Sequence, residues 1–243
     1  ALIERAAAPV LGVCGYGVHA NGITERDGVP HMWIARRAAS KSVEPGKLDQ
    51  IAAGGIPHGI GILANLIKES GEEAAIPEVL ARQARPVGTI SYTAQTENGI
   101  RADLLYLYDL HLPADFRPVN SDGEVAEFLC LPLDEVARLV RETEEFKLNS
   151  SVVVIDYLIR HGYLTPDDIP EYPTLCRDIR RIESRSHAAF GYEIELEPKV
   201  KEAIHLSGLL DALQKELAIQ IDLIPRPGLH PESYAITQKG NGT

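Results

Sequence analysis

Residues 53–76 read AGGIPHGIGILANLIKESGEEAAI and decide which fold and which chemistry we expect of this chain. A glycine-rich loop opens the segment, and apolar residues at helical spacing follow it. Glu69, Glu72 and Glu73 stand at positions i, i+3 and i+4 near the end of this predicted helix. Residues at these spacings share one face of a helix, so the three carboxylates are expected to be neighbours.

This acidic cluster conflicts with three rules for a stable helix. Carboxylates within about 6 Å of one another repel by about 3 kcal/mol per pair at an effective dielectric of about 20. Gly71 lies inside the last turn, where glycine costs about 1 kcal/mol relative to alanine. The C-terminal end of a helix also disfavours negative charge. A divalent cation would relieve these penalties, whereas a solvated acidic surface is the ordinary explanation of an isolated glutamate triplet.

Segments on either side of the cluster predict an α+β fold. Strands are predicted at residues 12–24, 32–37, 48–53, 87–96, 100–110 and 125–131, and helices at residues 62–73, 132–141 and 151–161. Glu97-Asn98-Gly99 separates two apolar runs and indicates a hairpin. The expected result is a mixed, mostly antiparallel sheet with helices packed on it.

The chain is predicted to divide near residue 172. Residues 166–173 (PDDIPEYP) are rich in proline and acidic side chains, which is typical of a linker. We therefore expect one domain over residues 1–172 and a C-terminal extension of unknown role over residues 173–243. Helical spacing recurs within the extension at residues 200–218.

Charge and composition narrow the range of partners. The 243 residues include 24 Lys or Arg and 35 Asp or Glu, which gives a net charge of −11. This charge disfavours a nucleic-acid polymer as partner but permits a phosphorylated small molecule that is approached through a cation. The sequence lacks an apolar run of about 18 residues, so no membrane partner is expected. Cys14, Cys130 and Cys176 form no paired motif, which favours a reducing cytoplasm.

Residues 54–76 resemble the Nudix box, G-x5-E-x7-R-E-U-x-E-E-x-G-U, where U is a bulky aliphatic residue. The three glutamates stand at the positions of the catalytic glutamates of the box. The sequence departs from the box at four positions. Ile60 replaces the first glutamate, Lys68 the arginine, Ser70 the first aliphatic residue and Ala75 the last glycine.

Further segments resemble one subgroup of this family, the thiamine-pyrophosphokinase-related Nudix hydrolases. They are residues 32–37 (MWIARR), 45–49 (PGKLD), 53–57 (AGGIP), 122–128 (DGEVAEF) and 155–163 (IDYLIRHGY). They follow the order of that subgroup, and the resemblance covers residues 1–172.

The resemblance implies a Nudix-type α/β/α sandwich and a MutT-like hydrolase that cleaves a small-molecule diphosphate with Mg²⁺ or Mn²⁺. Carried over by position, the metal ligands would be Glu69, Glu72, Glu73 and the backbone carbonyl of Gly54. Glu69 would bind metal or help to activate the attacking water. Lys68 would orient the glutamates through a salt bridge.

Other residues are candidates for completing the site. The family often adds a carboxylate from a later loop, for which Glu124 is the first candidate and Glu127 the second. Arg36 and Arg37 are neighbours on a predicted strand, so at most one of them faces the site. That arginine would contact phosphate or be an ordinary surface residue. His58 lies in the loop of the box, where it would contact substrate or simply be exposed.

The sequence is compatible with more than one substrate. The subgroup implies thiamine diphosphate or its oxidised derivatives, which would be hydrolysed to the monophosphate and phosphate. Another diphosphate, such as ADP-ribose or a related nucleoside diphosphate derivative, is the enzymatic alternative. A degenerate Nudix domain that only binds a ligand is the non-enzymatic alternative, which the departures at Ile60, Ser70 and Ala75 favour. Many members of the family form dimers, so the resemblance also admits a homodimer.

Overall fold

The computed structural model describes residues 7–96, 99–183, 191–196, 220–225 and 234–239. The chain divides into two units by the contacts within each. One comprises residues 15–92 and 103–182, and it contains the glutamate cluster. The other comprises residues 1–14, 93–102 and 183–243. The domain boundary predicted at residue 172 stays a prediction.

The elements follow one another along the chain as short helices and longer strands. The strands are β1 (Cys14–Arg26), β2 (Val29–Arg37), β3 (Leu48–Gln50), β4 (Ala52–Gly55), β5 (Arg85–Thr96), β6 (Gly99–His111), β7 (Val125–Pro132), β8 (Arg181–Glu183), β9 (Gly191–Leu196), β10 (Gln220–Pro225) and β11 (Tyr234–Lys239). The helices are α1 (Ala8–Leu11), α2 (Ile62–Ala74), α3 (Glu78–Ala81), α4 (Leu133–Glu142), α5 (Leu148–Arg160) and α6 (Tyr172–Asp178).

Eight of the described strands form one sheet, in the order β3-β2-β1-β6-β5-β8, with β4 paired to β1 and β7 paired to β2. Strand β1 pairs with β2 over Val29 to Trp33 and then leaves it to pair with β4. Because β7 lies along the other edge of β2, β3 pairs at the edge that β1 has left. Strand β4, which leads into the loop of residues 56–61, pairs with the part of β1 that precedes the stretch paired with β2.

Helices cover both faces of this sheet. Trp33 belongs to a buried cluster that includes residues of α2, whereas its neighbours Met32 and Ile34 belong to a second cluster with α4 and α5. Consecutive strand residues point to opposite faces, so each face of β2 has its own core. The α+β, three-layer architecture predicted from the sequence is confirmed.

Helix α2 ends in a left-handed cap at an alanine. Ala75 follows the helix with a φ of 51°, in the left-handed region. The N–H of Ala75 donates to the carbonyl of Gly71, and the N–H of Ile76 donates to that of Ser70. The first is the 5→1 bond of an αL cap, whose left-handed residue is usually glycine because glycine adopts a positive φ without strain. Alanine occupies the glycine position of the box and still adopts that conformation.

The structure refines several sequence-based predictions. The extended piece at 48–53 consists of two short strands, β3 and β4, and α5 begins at Leu148 rather than at residue 151. Helix α6 begins inside the predicted linker. The hairpin residues Glu97 and Asn98 and the helix predicted at 200–218 lie outside the described residues. Within the described part of the chain, no helix combines the length and the apolar character needed to cross a membrane.

Part of the C-terminal region forms a separate three-stranded sheet with the order β10-β9-β11. Strand β9 pairs in parallel with β10 and antiparallel with β11. Its sequence alternates apolar Tyr192, Ile194 and Leu196 with Glu193 and Glu195, which is the two-residue period of a strand.

Candidate functional site

Helix α2 places Glu69 and Glu73 beside its buried stripe and leaves Glu72 exposed. Leu66, Ser70 and Ala74 are buried against the sheet. Glu69 and Glu73 lie together on one side of this stripe, and both carboxylates approach β4. The Glu73 Oε2 atom accepts a hydrogen bond from the backbone N–H of Ala53 at 2.8 Å, which joins the end of α2 to β4.

Gly54 permits the close approach of Glu69 to the same strand. A Cβ atom at position 54 would lie 2.2 Å from Glu69 Cδ and 2.5 Å from its Oε2 atom. Any side chain there would collide with the carboxylate. Only 15% of the Glu69 side chain is exposed. The glycine of the box therefore has a steric role here, in addition to the expected role of its carbonyl oxygen.

Lys68 bridges two of the glutamates. Its Nζ atom donates to Glu72 Oε2 at 2.5 Å and to Glu69 Oε1 at 3.4 Å. The hydrogen bond to Glu72 raises the pKa of Lys68, so the ammonium stays charged. The contact is the one expected of the residue at the arginine position of the box, although lysine lacks the bidentate fork of arginine.

Burial and mutual repulsion disfavour ionisation of two carboxyls. Burial raises the pKa of Glu73 to about 8, and the negative charges of Asp49, Glu69 and Glu124 add to this rise. Burial also raises the pKa of Glu69, with smaller contributions from Glu72 and Glu124. Buried carboxyls that lie close to one another are stabilised either by protonation or by a nearby cation.

Glu124 lies at the same site. It precedes β7 and lines a small pocket together with Glu73. Its carboxylate forms an ion pair with Lys41. Glu127, the second candidate, lies opposite Arg36 in the β2–β7 register and accepts a hydrogen bond from Arg36 Nε at 2.7 Å. The structure thus brings Glu124, and not Glu127, to Glu73.

The loop before Glu124 is hydrogen-bonded to the end of α2. The N–H of Val119 donates to the carbonyl of Ala74 at 3.1 Å, and the Ser121 hydroxyl donates to the carbonyl of Glu72. Asn120 accepts from the N–H of Gly123 at 2.9 Å. These residues were missed by sequence reasoning, although Asn120 and Gly123 carry the signal of a tight turn.

The donor set fits a hard divalent cation. Carboxylates and a backbone carbonyl are the ligands that Mg²⁺ prefers, and the raised pKa values of Glu69 and Glu73 show that positive charge is favourable here. As the side chains stand, no three His, Cys, Asp or Glu residues of the described chain are grouped closely enough to hold an ion. Two of the glutamates are engaged by Lys68, and Glu73 by Ala53.

Both arginines that were candidates for a phosphate contact have partners within the protein. Arg36 donates to Glu127, to Glu145 and to the carbonyl of Gly46. Arg37 lines the pocket of Glu73 and Glu124, but its guanidinium donates to Asp49 and to the carbonyls of residues 43 and 44. A phosphate contact from either would require these bonds to break, and their role toward substrate stays a prediction.

The remaining predicted position and the departures from the box differ in their surroundings. His58 is exposed in the turn between β4 and α2. Ile60 is half-buried in the same loop. Ser70 is fully buried, and its hydroxyl has no hydrogen-bond partner among the described residues. An aliphatic side chain, as in the box, would avoid this cost.

Comparison with known proteins supports the resemblance seen in the sequence. No protein-family model matches the chain. The chain is 49% identical over 178 residues to Nudix hydrolase 24, chloroplastic, of Arabidopsis thaliana, a match that covers 73% of this chain and 48% of that protein. It is 49% identical over 165 residues to Nudix hydrolase 20, chloroplastic, of the same plant, with 68% and 44% covered.

A third relative comes from yeast. The chain is 37% identical over 194 residues to the uncharacterized protein YJR142W of Saccharomyces cerevisiae, with 74% of this chain and 56% of that protein covered. The chain thus spans about half the length of the curated relatives that it matches. The glutamates at box spacing, their position against Gly54 and β4, and two named Nudix hydrolases at this identity agree with one another. The chain therefore belongs to the Nudix hydrolase family.

Proposed function

We propose that this chain is the catalytic domain of a pyrophosphohydrolase that depends on a divalent metal and cleaves a small-molecule diphosphate. The observation that carries the proposal is the convergence of Glu69, Glu73 and Glu124 beside β4, where burial and repulsion raise the pKa of the first two. Surface acidic clusters are solvated and do not show such shifts. The kinship with named Nudix hydrolases agrees with this proposal.

The proposed ligands of Mg²⁺ or Mn²⁺ are Glu69, Glu72, Glu73, Glu124 and the backbone carbonyl of Gly54. When bound, the metal would neutralise the diphosphate and lower the pKa of the attacking water. Each of these residues supplies an oxygen, which is the donor that such hard cations prefer.

The chain's own residues would then hold the reactants and move one proton. The oxygen of a water attacks phosphorus, the bridging P–O bond breaks, and the two phosphoryl products separate. Glu69 would bind the metal or, as a general base, accept the proton of this water. Lys68 keeps Glu69 and Glu72 oriented through its two hydrogen bonds.

Thiamine diphosphate and its oxidised derivatives are the first substrates to test. The support for them is the resemblance of residues 32–37, 45–49 and 122–128 to the thiamine-pyrophosphokinase-related subgroup. ADP-ribose or another nucleoside diphosphate derivative is the alternative within the same chemistry. A third hypothesis is a domain that binds a diphosphate without turnover. It is favoured by Ile60, which stands at a box position that usually carries glutamate.

One experiment separates these functions. The 243-residue chain is incubated with thiamine diphosphate, oxidised thiamine diphosphate or ADP-ribose, with Mg²⁺ or with a chelator, and the products are separated by chromatography. We expect conversion of at least one compound that stops in the chelator. Absence of turnover on every compound would contradict the proposal that this chain is a hydrolase.

The matched variants test the site itself. Glu72→Gln and Glu73→Gln preserve the shape of each side chain and remove its negative charge. We expect each to lower turnover by at least about a hundredfold, in the range observed when an essential charged group is removed. Turnover equal to that of the wild type would refute the assignment of the metal ligands. Conversion of ADP-ribose alone would refute only the thiamine substrate.

A further inference from the structure

We infer that Lys41 is a substrate-binding residue whose ammonium contacts the phosphate oxygens of the diphosphate held at the glutamate site. The inference rests on the proposed function and adds to it a cation that the sequence did not single out. It stands on the position of Lys41 in one pocket with Glu73 and Glu124.

Three acidic side chains and two basic ones line the pocket. Glu73, Glu124 and Asp49 line it, together with the cations Arg37 and Lys41. A diphosphate would bring further negative charge to the same place. Because unpaired charge is costly to desolvate, a diphosphate needs a cation there that can turn toward it.

Arg37 is not that cation. Its Nη1 atom donates to Asp49 at 3.0 Å, and its Nη2 atom donates to the carbonyl of Val43 at 2.8 Å. Its Nε atom donates to the carbonyls of Val43 and Glu44, both at 3.2 Å. Only 13% of the side chain is exposed. Arg37 therefore holds the loop of residues 38–47 against Asp49 and keeps few donors for a ligand.

Lys41 retains donors and is held in place by its backbone. Within the described part of the chain, Glu124 is the acceptor found for its ammonium, which carries three N–H groups. The N–H of Lys41 donates to the carbonyl of Ala38 at 3.1 Å, and the N–H of Ala38 donates to the carbonyl of Glu124 at 2.9 Å. The turn that carries Lys41 is thus bonded to the backbone of a proposed metal ligand.

This arrangement allows a simple exchange of partners. The Lys41 side chain is 24% exposed, and Lys41 lines the pocket beside Glu124. When the Glu124 carboxylate engages a divalent cation, the Lys41 ammonium is left beside it and can turn to a phosphate oxygen. Lys68, the other lysine of the site, instead bridges Glu69 and Glu72 on α2.

The first test measures binding without turnover. Methylenediphosphonate, whose P–C–P bridge resists hydrolysis, is titrated in Mg²⁺ into the wild-type chain and into Lys41→Met and Lys41→Arg, with calorimetric detection. We expect Lys41→Met to weaken binding at least about tenfold and Lys41→Arg to stay within about threefold. The matched control is Lys47→Met, because Lys47 lies in the same loop and its ammonium donates to the carbonyl of Glu144.

A second comparison separates a phosphate contact from a purely structural ion pair. Lys41→Met is introduced into Glu124→Gln, where the original ion pair is already lost. If Lys41 contacts phosphate, the double variant binds methylenediphosphonate more weakly than Glu124→Gln alone. If Lys41 only holds Glu124, the two variants bind equally, and the inference is overturned.

The outcomes also keep this inference apart from the proposed function. Wild-type binding of methylenediphosphonate that is weakened in Lys41→Met, together with no hydrolysis of any compound, would refute the enzyme and support the Lys41 contact. Hydrolysis with equal binding by Lys41→Met and Lys47→Met would refute the contact and leave the enzyme standing. For a hydrolysed substrate, we expect Lys41→Met to raise KM and to change kcat less. If Lys41→Met unfolds, Lys41→Gln takes its place in the same titrations.

Discussion

The Glu73 carboxylate accepts a hydrogen bond from the backbone N–H of Ala53 at 2.8 Å, which joins the last turn of α2 to the first residues of β4. The bond fixes one acidic side chain of the site against the strand that carries Gly54. It lowers the pKa of Glu73, but burial raises it by more, to about 8. The site is therefore built around a carboxyl that the fold alone keeps protonated near neutral pH.

Glu73→Gln should stabilise the metal-free protein at alkaline pH. The pKa of Glu73 rises from an ordinary 4.5 to about 8 on folding, so the folded state binds more protons between these two pH values. Stability is therefore lost as pH rises through that window, and glutamine removes this loss. We expect Glu73→Gln to exceed the wild type by at least about 1 kcal/mol at pH 8.5, and to match it near pH 4.5, in urea denaturation with chelator.

Glu72→Gln is the control for that effect. Half of the Glu72 side chain is exposed, so its charge is solvated and glutamine should bring no comparable gain. Added Mg²⁺ should raise the melting temperature of the wild type more than that of Glu73→Gln. An equal gain in both glutamine variants at pH 8.5 would contradict the special environment of Glu73.

Gly54→Ala should displace Glu69 while the fold persists. The new Cβ atom would lie 2.2 Å from Glu69 Cδ, and the end of this side chain moves more easily than β4 does. We expect turnover to fall at least about tenfold, since misplacing a catalytic group by about 1 Å costs this much or more. Gly61→Ala is the control, because its Cβ atom would meet nothing within 4 Å among the described residues. Retained wild-type kcat in Gly54→Ala would disprove the steric role of Gly54.

Ala75→Gly should stabilise the end of α2. Alanine at a φ of 51° carries a cost of about 1–2 kcal/mol, and glycine removes this cost. The greater entropy of the unfolded chain with glycine offsets part of the gain. The expected net gain is about 0.5–1 kcal/mol in the free energy of unfolding, measured by chemical denaturation. The reciprocal substitution Gly162→Ala, at a φ of 73°, should destabilise by about 1 kcal/mol. A loss of stability in Ala75→Gly would argue against the left-handed cap.

Ser70→Ala should be neutral or stabilising, by up to about 1 kcal/mol. The Ser70 hydroxyl is buried without a hydrogen-bond partner in the described structure, so its removal costs little and spares desolvation. Ser150→Ala is the contrasting variant, because the equally buried Ser150 hydroxyl donates to Asp49. That substitution should destabilise by about 1–3 kcal/mol. Equal effects in thermal unfolding would contradict the difference between the two hydroxyls.

Local patterns in the sequence were sufficient for the elements and for the acidic face of α2. The apolar spacing predicted helix 62–73 within one residue of α2, and it placed Glu69, Glu72 and Glu73 together. A strand was predicted over residues 32–37, which lie in β2, and the two faces of β2 serve two cores. These features follow from the period of a helix or a strand, which is a property of residues close in the chain.

Only the tertiary structure decided which distant residues join the glutamates. Glu124 reaches Glu73 because the loop before β7 is hydrogen-bonded to the end of α2, while Glu127 lies opposite Arg36 in the β2–β7 register. Arg37, a candidate for a phosphate contact, is engaged with Asp49 in the structure, and Lys41 lines the same pocket. Strand register and loop closure depend on pairing between residues far apart in the chain, which no local period encodes. The sequence by itself thus determined the helix that carries the acids, and the pairing of β2, β4 and β7 around it determined their surroundings.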